Sequence, residues 1–186
     1  MAKKAIVLMA DGFEEVEAIT PIDYLRRAGI EVSAVSISDS LTVTGKWTGI
    51  KLTVDAKLSE IAGKTGAYDA VILPGGMQGA ANLAACAEAG TLIKEMAAGG
   101  KLIAAICASP ALVLSALGII KGKNFTCYPG MEEKVTDAKW SGDRVVTDGN
   151  IITSRGAGTA GEWAVAIIKK LTDKTTAEKI AQTVLL

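Results

Sequence analysis

"LIAAICASPALVLSALGII", residues 102–120, decides how this chain folds. It carries no charge, and Cys107 sits near its centre, followed by Ala108, Ser109 and Pro110. Three readings compete: a membrane span, a buried core segment, or a reactive cysteine at a turn. A membrane span needs about 20 consecutive apolar residues, and this stretch nearly has them. However, Ser109-Pro110 interrupts its middle and Gly118 falls near its end. A strand over 101–107 followed by a helix over 109–118 gives each half an ordinary length. Ser109 then reads as the helix N-cap and Pro110 as its first residue. Free amides and the positive helix end would face the Cys107 sulfur and favour the thiolate. A sharp strand–turn–helix is also how α/β-hydrolases expose a nucleophile. Against this, free cysteine is among the most buried residue types. From these residues alone the inert and reactive readings of Cys107 stand level, whereas Cys86, in an alanine-rich helix, fits the inert one.

Working outward, "AIVLMA" (5–10), "EVSAVSI" (31–37) and "AYDAVILPGG" (67–76) read as strands, the first and last buried on both faces. Residues 41–55 read as a hairpin turning near 45–49. Helices are expected after the first strand, over 79–100 and over 160–171, with one more at the C-terminal end. Pro21 should bend or interrupt the first of these, and Gly29 should end it. Alternating strands and helices imply an α/β sandwich with a largely parallel sheet. In such sheets, sites lie beyond the carboxyl ends of the strands. Three strand ends, "ADGFEE", "LPGGMQG" and "AICASP", should therefore converge on one crevice.

The composition narrows the function. Lys+Arg and Asp+Glu balance at 20 each, and aromatic residues are 4%. Neither a nucleic-acid face nor a basic membrane-binding run is indicated. Three cysteines without CxxC spacing argue against a disulfide scaffold and a zinc ribbon. The chain has no histidine, so the usual zinc and iron ligand sets are missing and no metal site is expected. The apolar run before Asp11 is too short for a secretory signal, and a cytoplasmic, reducing location is expected.

Taken together, "AICASP", "VILPGG", "DGFEEVEAITPIDYLRRAGI" and "ITSRGAGT" resemble the DJ-1/PfpI (ThiJ/PfpI) superfamily, in order and across essentially all of residues 1–186. The resemblance implies a single domain with a flavodoxin-like three-layer sandwich, and a homodimer. It places the nucleophile on Cys107 and the acidic partner on Glu17. It places oxyanion-type amides on Gly75, Gly76 and Ala108, with Tyr128 and Arg155 lining the pocket. Implied activities are glyoxalase III action on small aldehydes, deglycase action, redox sensing, chaperone function and, in the PfpI branch, proteolysis. No cofactor is implied. The chain departs from many relatives at Tyr128, where they have histidine, and at Ala157, where they have proline. An arginine supplied by the partner subunit in some relatives has no match; Thr48 lies near that point.

The missing histidine argues against a Cys-His protease. Proton transfer then falls to Glu17, whose pKa must be raised by burial and by the nearby sulfur. "EEVE" offers three acids in one helical turn, where negative charge is favourable anyway. Without the resemblance, Glu14, Glu15 and Glu17 rank equally, and Glu14 and Glu15 fit a solvated helix start. "PGGMQG" lacks both G-x-G-x-x-G and Walker spacing, so it reads as close backbone approach to the sulfur rather than a phosphate cradle.

Overall fold

The computed structural model describes residues 2–186. In chain order the elements are β1 (Lys4–Met9), α1 (Glu15–Arg27), β2 (Glu31–Ser36), β3 (Thr42–Thr44), β4 (Lys51–Thr53), β5 (Ala56–Lys57), α2 (Leu58–Ile61) and β6 (Ala70–Leu73). There follow α3 (Met77–Ala85), α4 (Ala87–Ala98), β7 (Leu102–Ile106), β8 (Asn124–Phe125), β9 (Lys139–Trp140), β10 (Val145–Asp148), β11 (Ile151–Ser154), α5 (Ala160–Leu171) and α6 (Lys174–Thr183). Seven strands form the central sheet in the order β10-β11-β7-β6-β1-β2-β5. Every neighbouring pair is parallel except β10 with β11.

The apolar runs explain the layers. β6 and β7 are buried at every residue, and β1 at all but its first, so both sheet faces must be covered. Alternate residues divide between two cores. Ala5, Val7 and Met9 pack on one side with Leu25, Trp163 and Ile167; Ile6 and Leu8 pack on the other with Leu83, Ile93 and Met96. The chain leaves β1 toward β2 on one side, while β6 lies on the other. The carboxyl ends of β1, β6 and β7 are thus neighbours at the point where strand order reverses, the usual place for a site.

Three local expectations are corrected. α1 runs through Pro21 without interruption. Pro21 has no N–H to give the Glu17 carbonyl, but it lies on the buried face with Ala18, Ile22 and Leu25, and packing against α5 holds the helix. Residues 79–100 are two helices, because Cys86 takes extended backbone angles. The break lets α3 pack on Pro110–Leu114 while α4 packs on β6 and β7. Beyond β7 the helix expected over 109–118 is only partly regular: residues 109–114 are helical, with the wider π spacing over Pro110–Leu114, and hydrogen-bonded turns follow to residue 120. Ser109 does not cap it. Its backbone is already helical, and its buried hydroxyl donates instead to the Pro74 carbonyl at 2.6 Å. β3 and β4 form the expected antiparallel pair. Among the described residues no helix is long and apolar enough to cross a membrane.

Candidate active site

Cys107 follows β7 directly and has φ of +64°, in the left-handed region that side chains seldom adopt. Its backbone is held from both sides. Its N–H donates to the Ser154 carbonyl at 3.0 Å, and its carbonyl accepts from Tyr128 N–H at 2.8 Å. The turn thereby presents Sγ at the carboxyl edge of the sheet, beside the amides of Gly76 and Ala108, which favour its charged form.

Glu17 reaches the same point from the first turn of α1. It is 1% exposed, and its Oε2 accepts from Gly75 N–H at 2.9 Å. Cys107 and the Ala157 amide lie beside the same carboxyl and favour its charged form. The other two acids take different partners, as a rotation of about 100° per residue requires, although Glu14 also borders the cleft. Glu14 caps α1, its Oε2 accepting from Glu17 N–H at 2.7 Å. Glu15 accepts from Trp47 N–H, Thr48 N–H and the Thr48 hydroxyl in the turn between β3 and β4.

The loop after β6 must be glycine. A Cβ on Gly75 would lie 2.5 Å from Cys107 Cβ and 2.6 Å from Glu17 Oε2. Gly76 has φ of +82°, and a Cβ there would lie 2.5 Å from the Gly12 carbonyl oxygen. One sequence expectation changes here. The Gly75 amide is committed to Glu17, which leaves Gly76 and Ala108 as the amides beside the sulfur.

The pair's electrostatics follow from this crowding. Burial first, then the charge of Glu14, pushes Glu17 up to about 7, although the Cys107 and Gly75 hydrogen bonds oppose the shift. Burial first, then the Glu17 carboxylate, pushes the Cys107 thiol up to about 12. A thiolate at rest is opposed by burial and by the Glu17 carboxylate, although helical backbone begins at Ser109 and the Gly76 and Ala108 amides favour it. The two groups instead share one proton around neutrality. The Glu17 carboxylate raises the thiol, and once Glu17 is protonated its opposing charge is gone.

A cleft of about 360 Å3 opens over the sulfur. Glu17, Cys107, Gly76, Ala108 and Tyr128 line it together. Arg155 does not. It lies in an adjoining depression of about 350 Å3 beyond Tyr128 and Ala157, where its guanidinium donates to the Gly142 carbonyl at 3.2 Å. β11 ends at Ser154, and the chain turns away before the arginine side chain can face the sulfur.

The sequence matches the DJ-1/PfpI family over residues 3–170. The chain belongs to that family. It is 42% identical over 165 residues to Protein DJ-1 homolog B of Arabidopsis thaliana, covering 89% of this chain and 37% of that protein. The chain thus spans well under half the length of this plant relative. It is 36% identical over 172 residues to Glutathione-independent glyoxalase DJR-1.2 of Caenorhabditis elegans, covering 91% of this chain and 89% of that protein. Among solved structures, oxidized Toxoplasma gondii DJ-1 superposes with a TM-score of 0.95 at 38% identity, covering 99% of this chain and 98% of that one.

Two residues of this DJ-1/PfpI cleft escaped the sequence reading, Lys46 and Trp47. They belong to the β3–β4 turn, far from the strand ends that signalled the site. Glycines flanking an exposed lysine and tryptophan, "GKWTG", were the available signal.

Proposed function

We propose that this chain is a cysteine-dependent enzyme of small reactive carbonyl compounds, converting methylglyoxal to lactate without glutathione. The observation that carries the reading is the juxtaposition of the buried Glu17 carboxyl and Cys107 on the wall of one cleft, with the carboxyl raised to about 7. A group titrating near neutrality is suited to both accepting and returning a proton. Cys107 Sγ attacks the aldehyde carbon as its proton passes to Glu17, which returns it to the former carbonyl oxygen to give a hemithioacetal and a free carboxylate. The amides of Gly76 and Ala108 face the developing oxyanion. Glu17 then carries the carbon-bound proton from the former aldehyde carbon to its neighbour through an enediol. The resulting thioester is hydrolysed by water, releasing lactate and the free thiol. Removal of early glycation adducts begins with the same attack. The nematode relative described as a glutathione-independent glyoxalase supports the reading. A proton NMR time course of methylglyoxal with chelator present tests it. Lactate should accumulate with the wild type and not with Cys107→Ser; equal rates in the two would overturn it.

Redox sensing or chaperone action is the second reading. The half-buried Cys107 can be oxidised to a sulfinate that a protonated Glu17 would hold. The relative described as oxidized favours it. Absence of turnover alongside stoichiometric oxidation of Cys107 by dilute peroxide would select this reading. The three cysteines are unpaired, in keeping with a reducing cytoplasmic setting. A homodimer is part of the proposal. Val16 and Ile19 share one exposed face of α1, and Ile50 is exposed on the hairpin that Glu15 ties to that helix. Light scattering after chromatography should give twice the chain mass, and Ile19→Glu should halve it.

A further inference from the structure

We propose that residues 45–49 are the recognition arm of the Cys107 cleft, and that Lys46 receives a carboxylate or phosphate group on the carbonyl substrate. This deepens the carbonyl reading above and takes its substrate class from it.

The arm is "GKWTG", the turn between β3 and β4. It is fastened at both ends and in the middle. Gly45 N–H donates to the Ile50 carbonyl at 2.8 Å, and Lys46 N–H donates to the Phe13 carbonyl at 3.0 Å. A single oxygen, Glu15 Oε1, accepts from Trp47 N–H at 3.1 Å and from both Thr48 N–H and the Thr48 hydroxyl at 2.9 Å. Glu15 and Glu17 occupy the same turn of α1, so one helix start holds both the arm and the acid that touches Cys107. Glu15 is thus a positioning residue for the arm.

Lys46 and Trp47 line the cleft together with Cys107. Lys46 Nζ lies 5.0 Å from the centroid of the Trp47 ring, which orients the ammonium while leaving its N–H donors open. The cleft wall carries two carboxylates, Glu14 and Glu17, and among the described residues Lys46 is the only cation that lines it. Among the described residues Lys46 makes no ion pair with either of them. An anion approaching the sulfur is repelled by those carboxylates, and Lys46 is the one group that offsets this. The volume of about 360 Å3 also leaves room beyond a three-carbon oxoaldehyde.

Two alkylating agents alike in size and leaving group, iodoacetate and iodoacetamide, differ in charge and isolate the effect. Their rates at Cys107 are read by mass spectrometry. Lys46→Gln should lower the iodoacetate-to-iodoacetamide rate ratio by about fivefold or more, and Lys46→Arg should restore it. Glu15→Gln should lower it by about twofold through release of the arm. An unchanged ratio in Lys46→Gln would overturn the carboxylate assignment. For phosphate, kcat/KM for hydroxypyruvaldehyde phosphate relative to methylglyoxal should fall by about tenfold in Lys46→Gln. If neither ratio moves, the arm is not a recognition element. If no oxoaldehyde is turned over by the wild type, the carbonyl reading fails while the alkylation ratio still decides the arm.

Discussion

The Gly75 N–H donates to Glu17 Oε2 at 2.9 Å across a separation of 58 residues. This bond draws the loop after β6 onto the first turn of α1 and closes the floor beneath Cys107. It also assigns the two glycine amides different tasks, since Gly75 orients the acid while Gly76 lies beside the sulfur and favours its charged form.

Gly75→Ala should therefore disable the site. The added methyl meets both Cys107 Cβ and Glu17 Oε2, neither of which has room to retreat. Methylglyoxal turnover should fall by about a hundredfold, roughly 2.7 kcal/mol in the barrier, with circular dichroism still native. Wild-type turnover in this variant would contradict the packing argument.

Glu17 makes stability depend on pH in a set direction. Its folded pKa of about 7 lies above the ordinary glutamate value of 4.5, so the folded state binds more protons between these values. Stability from this group is present in full below the lower value and declines as pH rises to the upper one. The loss is on the order of 3 kcal/mol. Denaturant melts of Glu17→Gln should be flatter over this window and more stable than wild type at pH 8, while turnover drops steeply. A parallel pH profile would show that Glu17 ionises freely in the folded protein.

Ser109→Ala should weaken the elbow. The hydroxyl bonds the Pro74 carbonyl inside the protein, and its removal leaves that oxygen unpaired. A loss of about 1–3 kcal/mol is expected from urea unfolding. The Gly75–Glu17 contact should loosen with it, and methylglyoxal turnover should fall as well. No change in stability would indicate that water replaces the hydroxyl.

Tyr128 lines the cleft yet is 52% exposed. Its phenol can donate a hydrogen bond to a substrate oxygen. Tyr128→Phe should lower kcat/KM by about tenfold or less and keep the acid limb of the wild-type pH–rate profile. Abolished turnover with normal alkylation of Cys107 would make the phenol an essential acid.

Much of this arrangement was legible in the residues themselves. Unbroken apolar runs in β6 and β7 can only be buried on both faces, which dictates a covered parallel sheet. Polar and glycine-rich residues directly after those runs mark the strand ends, so the crevice containing Cys107, Gly76 and the α1 acids followed from pattern alone. What pattern could not do was choose among Glu14, Glu15 and Glu17. All three suit a helix start, and only the packing of α1 on the sheet decides which one is buried and which face the cap and the hairpin. The same limit hid the persistence of α1 through Pro21, the use of Ser109 as a tie rather than a cap, and the exclusion of Arg155 from the cleft. Periodicity and capping preferences describe neighbours a few residues apart. These outcomes depend instead on partners brought together from distant parts of the chain, as when Pro74 meets Ser109 or Glu15 meets Thr48, and only the closed tertiary structure determines which of the competing hydrogen bonds is made.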